Sequence, residues 1–230
     1  MPETGFRGSP KLQKGALIQL TETLVFPVPN IVPFQFNPSS LKRTMKPWNP
    51  LEVDQTQRGL PSPTAQPFDP EEAITVDIEL DASDQLEEND PVATQFGVAD
   101  RIAAIEKMLF PGQSPLGQLL GAVASLVGAQ PPKRQTVPIT LFVFGVGRIV
   151  PVRITSYSVE EQLHLPSLYP IMARVSLALQ VLTPEVFKCQ SGPTVDIAKA
   201  AYAFFRKQQD ALALAQTGRA VQSIRSLLPF

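Results

Sequence analysis

The segment Ile74–Leu80, ITVDIEL, alternates without a break: Ile74, Val76, Ile78 and Leu80 fall on one side, and Thr75, Asp77 and Glu79 on the other. An extended chain sends successive side chains to opposite faces, so a period of two marks a strand with one dry and one wet side. That pattern belongs to antiparallel sheets, because parallel strands are covered on both faces and read as continuous apolar runs. IMARVSLALQVL repeats it, with Ile171, Ala173, Val175, Leu177, Leu179 and Val181 against Met172, Arg174, Ser176, Ala178 and Gln180.

The remaining segments are read around these two strands. Gly15–Phe26 (GALIQLTETLVF) reads as a strand, followed by the proline-punctuated PVPNIVP. Phe34–Phe36 reads as a short strand ended by Asn37-Pro38, with both aromatics facing the core and Ser39 or Ser40 free to cap the next element. Thr44–Pro70, rich in Pro, Gln, Ser and Thr, reads as a long loop. After the acidic DASDQLEEND, Asp90-Pro91 can cap a helix over Pro91–Phe110, whose stripe is Val92, Phe96, Ala99, Ile102, Ile105 and Leu109. Leu116–Val127 is either a loose helix or a loop insertion. Ile139–Phe144, the turn Gly145-Val146-Gly147 and Ile149–Glu160 make a hairpin. Pro151 marks its returning strand as an edge or a bulge. Residues 193–228 are helical, with Val195, Ala198, Tyr202 and Phe205 on one stripe and a second short stretch over Ala220–Leu228.

These elements predict an α+β, mainly β fold: five or six antiparallel strands with one packed amphipathic helix. The chain divides into a flexible leader over 1–14, a β domain over 15–185 with loop insertions at about 44–70 and 111–136, and a C-terminal helical extension over 186–230.

Composition removes several function classes. Of 230 residues, 43% are hydrophobic and 18% charged, which provides a core and argues against global disorder. Lys plus Arg (20) balances Asp plus Glu (21), leaving no basic footprint for nucleic acid. No apolar run of signal-peptide type opens the chain, and the most apolar window, Pro115–Ala129, is shorter than a membrane span and interrupted by Gly, Gln and Ser. The expectation is a soluble, cytoplasmically made protein without membrane insertion.

Catalytic signatures are missing. There is no phosphate-cradling G-x-x-x-x-G-K-[ST], no G-x-S-x-G elbow and no H-E-x-x-H. His164 lies in a loop between strands, near Glu160 and Glu161, a cluster that reads as a solvated loop rather than a general base with its partners. Cys189 has no second cysteine to pair with and follows an apolar strand, so it reads as a buried, inert thiol. The DASDQLEEND carboxylates lack the ligand order and glycine of a calcium loop. The expectation is no enzyme, no cofactor and no metal. Asp77 and Glu79 either face solvent or pair with basic groups on a neighbouring subunit, for which Arg148, Arg153 and Arg174 are the candidates.

In order and spacing, the chain resembles the tube-domain proteins of contractile injection systems and phage-like tails, in the branch that forms adaptor rings between tube and spike. The resemblance rests on Phe34, Phe36, Asn37, Pro38 and Leu41 (F-x-F-N-P-x-x-[IL]), on Ile78, Leu80 and Asp81 of ITVDIELDASD, on the helix VADRIAAIEKMLFP leading towards Pro131-Pro132, and on the hairpin and closing strand from Ile139 to Val181. Phe144 stands where that family commonly has Trp, and Leu168-Tyr169 precedes Pro170 where Gly is usual. No LysM-like module follows Thr183; the helical tail takes its place.

The resemblance implies an antiparallel two-sheet sandwich or barrel, assembled with six-fold symmetry so that hairpins from all copies close around a channel. It implies a structural, tube-initiating adaptor, with the inner tube protein, the spike or hub protein and baseplate wedge proteins as partners. The alternative is a monomeric or other protein-binding module of the same particle, such as another tube or terminator ring. The rim that meets a neighbour is expected to run from Asn37 and Pro38 through Lys42 and Arg43. In the tail, Tyr202, Phe204 and Phe205 either anchor a groove on another protein or pack back onto their own barrel.

Overall fold

The computed structural model describes residues 13–20, 30–49, 64, 66–111 and 137–227. The alternation of ITVDIEL becomes strand β4 (Glu71–Asp81), in which Ile74, Val76, Ile78 and Leu80 are at most 1% exposed. β4 pairs antiparallel with β7 (Pro170–Val181), setting Ile74 opposite Leu179 and Ile78 opposite Val175. The other strands are β1 (Ala16–Gln19), β2 (Asn30–Pro33), β3 (Leu41–Lys46), β5 (Thr140–Val143) and β6 (Ile149–His164). All seven join one antiparallel sheet in the order β2-β1-β5-β6-β7-β4-β3, so the chain is α+β and mainly β.

The connection between the two edge strands requires this sheet to curl. A flat sheet of this order would hold β2 and β3 about 29 Å apart, six spacings of about 4.8 Å. From Pro33 to Leu41 the chain reaches about 28 Å when fully extended, yet it bends at Gln35, Phe36 and Ser39. The bonds show the curl directly. Gln35 Oε1, just past β2, accepts from the backbone N–H of Asp81 at the end of β4 (3.0 Å). Inside the curl lies one core, drawing Leu17, Val32 and Phe34 from one end of the sheet and Ile78, Leu80 and Val175 from the other.

The helical layer plugs this core. Helices α1 (Ser83–Glu87), α2 (Pro91–Phe96) and α3 (Ala99–Glu106) follow β4. Asp90 caps α2 as expected, its Oδ1 accepting from Val92 and Ala93 N–H at 2.9 Å each. The single helix expected over Pro91–Phe110 is instead two. Gly97 (φ 58°) closes α2 with its N–H on Ala93 O (2.8 Å), and Val98 then donates to Pro170 O (2.9 Å). The break rephases the stripe, so that Ala93, Val98, Ile102, Ile105 and Met108 are buried and Val92 is left exposed. α3 bridges the curl: Asn30 Nδ2 donates to Ala104 O (2.7 Å) on the β2 side, and Tyr157 Oη donates to Glu106 Oε1 (3.2 Å) on the β6 side.

Further differences from the sequence reading have local causes. NIVP, within the proline-punctuated stretch, is strand β2, and the strand expected over Phe34–Phe36 is a bend. Phe34 is fully buried and packs against Phe142 (ring centroids 6.2 Å apart), whereas Phe36 is 49% exposed, because the bend breaks the alternation that would have put both on one face. The first residues of the expected 44–70 loop belong to β3, paired with β4 from Leu41↔Val76 to Lys46↔Glu71. Ser39 and Ser40 lead into that strand, not a helix.

Pro151 sits mid-sheet opposite Leu141, and the irregularity in β6 falls later, between Ile154 and Ser156. Its carbonyl accepts from Leu182 N–H (2.8 Å), so its nitrogen points to the same side, and the reciprocal bond to Leu182 that a proline cannot make falls just past the end of β7. A 3-10 turn (Pro184–Phe187) leads into α4 (Pro193–Leu227), one continuous 35-residue helix where two stretches were expected. Residues 21–29 and most of the 1–14 leader, the 44–70 loop and the 111–136 insertion, with Leu116–Val127 and Pro131-Pro132, lie outside the described residues. Among the described residues no helix is long and apolar enough to cross a membrane.

Candidate functional site

β6 carries a long stretch of strand with an unused bonding side in the described fold. β5 pairs with it only from Ile149 to Val152, while β7 pairs with it from Val152 to His164. Residues 155–164 therefore have a ladder on one side and, among the described residues, none on the other. Most of this edge is exposed; Tyr157 and Val159 turn partly inward against the core. At its tip, Leu163 (φ 51°) and Leu168 (φ 66°) adopt left-handed conformations and stand 64% and 80% exposed. A row of free N–H and C=O groups on an extended edge is a template for another strand.

The expected interface residues divide into three groups. The first is used within the chain. Asn37 accepts from Gly15 N–H (2.9 Å) and donates to Gln13 O (2.8 Å), tying the connector to the start of β1 beside Pro38. Asp77, read as either facing solvent or pairing with a neighbouring subunit, finds Arg174 Nη2 at 3.0 Å and Ser176 Oγ at 2.7 Å on β7 of its own chain. The register decides this, since β4 and β7 set Asp77 opposite Ser176 and Glu79 opposite Arg174. The Ser176 and Arg174 hydrogen bonds hold the Asp77 carboxyl below its ordinary value.

The second group is exposed. Lys42 on edge strand β3, Glu79 on β4 and Arg153 on β6 all reach solvent. The third lies beneath α4. Arg43 Nε donates to the buried Glu72 Oε1 at 2.6 Å and stacks over the Phe205 ring (5.6 Å), while Arg148 stacks over Phe144 (5.8 Å). Sequence reasoning singled out these two arginines separately; their proximity depends on where the helix docks.

Of the two readings open for the tail, Tyr202 and Phe205 take the second, packing back onto their own chain. Tyr202 and Phe205 belong to the molecule's own core, with Tyr202 Oη donating to Asp69 Oδ2 (2.9 Å), so they do not serve as free anchors. Phe204, on the opposite face, is 49% exposed. Cys189, expected to be buried, is exposed in the turn after Phe187, which takes the interior place instead. His164 stands on the hairpin tip 3.8 Å from Glu161, and both side chains are exposed. In DASDQLEEND, Asp81 accepts from Ser83 N–H and Asp90 caps α2; no group of His, Cys, Asp or Glu able to hold a metal occurs among the described residues.

No protein-family model matches the sequence. Comparison with the curated proteins likewise returns no match.

Proposed function

We propose that the chain is a structural, non-enzymatic subunit of a contractile injection system, forming a six-fold adaptor or tube-initiator ring between the inner tube and the baseplate hub and spike. The observation that carries the reading is the edge of β6 over residues 155–164, unpaired among the described residues, on a hairpin that extends beyond β5. Natural sheets cover or blunt such edges, and closure of hairpins around a ring removes them altogether. In this reading β2, β1, β5 and the first half of β6 form one layer, and β3, β4, β7 and the second half of β6 the other. Together they are the two-sheet, tail-tube type of barrel. Tube, spike and wedge proteins are the partners, and the assembled tail-like particle is the location.

Light scattering and negative-stain imaging test this, on the protein alone and mixed with candidate tube and spike proteins. Rings or stacks are expected in at least one mixture. Ser158→Pro and Val159→Pro then probe the edge, because neighbouring residues of a strand point their N–H groups to opposite sides. One of the two removes an outward donor while sparing the β6–β7 ladder, and that variant is expected to fold and lose assembly. A 25.1 kDa monomer in every mixture and at every concentration overturns the proposal.

A further inference from the structure

Between β3, the β5–β6 turn and α4 is a cavity of about 400 Å³, lined by Arg43, Arg148, Gln208, Phe144, Phe205 and Leu212 among others. Three of the four buried side-chain polar atoms that lack a hydrogen-bond partner in the described structure belong to it: Arg43 Nη2, Arg148 Nε and Gln208 Oε1. Buried polar groups are ordinarily satisfied, and leaving one unmet is costly. Two of the three, Arg43 Nη2 and Arg148 Nε, are donors in one cavity and indicate a missing acceptor; Gln208 Oε1 is itself an acceptor.

The charge count identifies that partner. Two guanidinium groups are offset by one carboxylate, that of Glu72, which already accepts from Arg43 Nε. Among the described residues, one positive charge is left over. Burial, and next the charge of Arg43, lower the pKa of Arg148 from its ordinary value against the opposing pull of Glu72, as expected for a cation short of counter-charge. The unmet donors sit on planar guanidinium groups, whose geometry suits a carboxylate. The rest of the lining is apolar: Phe144, Phe205 and Leu212.

We propose that this cavity binds one monocarboxylate with an apolar body, its head on Arg43 and Arg148 and its body against Phe144, Phe205 and Leu212. Gln208, whose side-chain amide lies against Gly147 at the cavity wall, can donate to the head group only through its Nε2. The site is complete within one chain and does not depend on ring assembly. Its carboxylate comes either from a free small molecule or from an acidic side chain of a second copy.

Equilibrium dialysis with benzoate at constant ionic strength, with benzamide as the uncharged isostere, tests the site. Saturable binding of one benzoate per chain is expected, with benzamide at least about tenfold weaker, since charge-assisted hydrogen bonds are the stronger kind. Arg148→Gln should fold with unchanged far-UV dichroism and lose about tenfold or more in affinity, and Arg148→Lys should retain part of it. If a second copy supplies the carboxylate, benzoate occupancy per chain falls as protein concentration rises, and Arg148→Gln abolishes that competition. Equal binding of benzoate and benzamide, full affinity in a folded Arg148→Gln, or no benzoate binding at any protein concentration overturns the assignment.

Discussion

Tyr202 Oη donates a 2.9 Å hydrogen bond to Asp69 Oδ2, fastening the C-terminal helix to the chain just ahead of β4. The bond turns what reads in sequence as an appendage into a lid on the core, because Tyr202 and Phe205 enter the same apolar cluster as the sheet. Replacing Tyr202 by Phe keeps the ring and removes the donor, leaving Asp69 without it. The expected loss is about 1–2 kcal/mol, read as a lower urea midpoint with unchanged slope.

The two partly or fully buried tyrosines also set an alkaline limit. Burial first, then the neighbouring carboxylates Glu106 and Asp69, raise the Tyr157 and Tyr202 phenols well above their ordinary value of 10.0. Both native phenols thus keep their protons where those of the unfolded chain lose them. Their contribution is intact below about pH 10 and declines as pH rises through that value, because the unfolded state then binds fewer protons. Tyr157→Phe/Tyr202→Phe should flatten the fall in stability above pH 10, by up to about 1.4 kcal/mol per pH unit for each tyrosine. Denaturant titrations of both proteins across that range measure the difference in slope.

Gly97 is where backbone and packing agree on a single residue. Its φ of 58° is left-handed, and a Cβ there would collide with Pro170 O. That carbonyl is held in place by Val98 N–H at 2.9 Å. Gly97→Ala should cost about 3 kcal/mol or more, combining left-handed strain with a backbone clash. An Ala substitution at the neighbouring exposed Gln95 should stay within about 0.5 kcal/mol. Thermal unfolding of the two variants side by side checks the contrast.

The same position shows where the sequence ceased to be legible. Periodicity found β4 and β7 because their alternating residues meet an uninterrupted core. It also found the β5–β6 hairpin and the Asp90 cap, which are local. It missed β3, since LKRTMK at a sheet edge has little apolar face to display, and it missed β2, since prolines around it mimic a loop. It ran α2 and α3 together because Val92 and Phe96 continue the spacing of Ile102 and Ile105 by coincidence, and only the contact with Pro170 forces the break. The Arg43–Arg148 cavity was unreadable for a stronger reason: residues 105 positions apart meet only after α4 has docked. Asp77 and Arg174 were both singled out, but pairing them within the chain needs the β4–β7 register.

That surface pair should matter little. Both side chains are about half exposed, at 43% and 53%, and exposed ion pairs contribute at most about 1 kcal/mol. Asp77→Asn should cost less than that at neutral pH. Because the native carboxyl titrates below its ordinary 3.8, the contribution exists above that value and is lost as pH falls below it. The stabilities of the two proteins should therefore converge in acid, as urea midpoints at neutral and acid pH can show.

Phe34 and Phe36 give a sharper contrast than any charged pair. Phe34 is 0% exposed and Phe36 49%. Phe34→Ala should cost about 3–5 kcal/mol, the range for emptying a buried aromatic site, and Phe36→Ala about 0.5 kcal/mol or less. If the exposed ring instead seats on a neighbouring ring subunit, Phe36→Ala reduces assembly while leaving monomer unfolding unchanged. Unfolding midpoints and light-scattering mass on the same preparations separate the two roles.

The long helix should divide functionally near Asp210. Its first half buries Val195, Ala198, Tyr202 and Phe205, while residues 211–218 are all exposed. Ending the chain after Pro184 uncovers the core beneath Tyr202 and Phe205 and removes the α4 wall of the Arg43–Arg148 cavity. With three buried aromatic residues lost, Phe187, Tyr202 and Phe205, at about 3–5 kcal/mol each, little of the roughly 5–15 kcal/mol typical of a domain would remain, and aggregated or unfolded protein is expected. Ending it after Leu212 keeps every helix residue that lines the cavity, and the unfolding midpoint should stay within a degree or two of the full chain. Limited proteolysis reads the same division, with cleavage expected within the exposed residues 211–218 well before any cut between Val195 and Phe205.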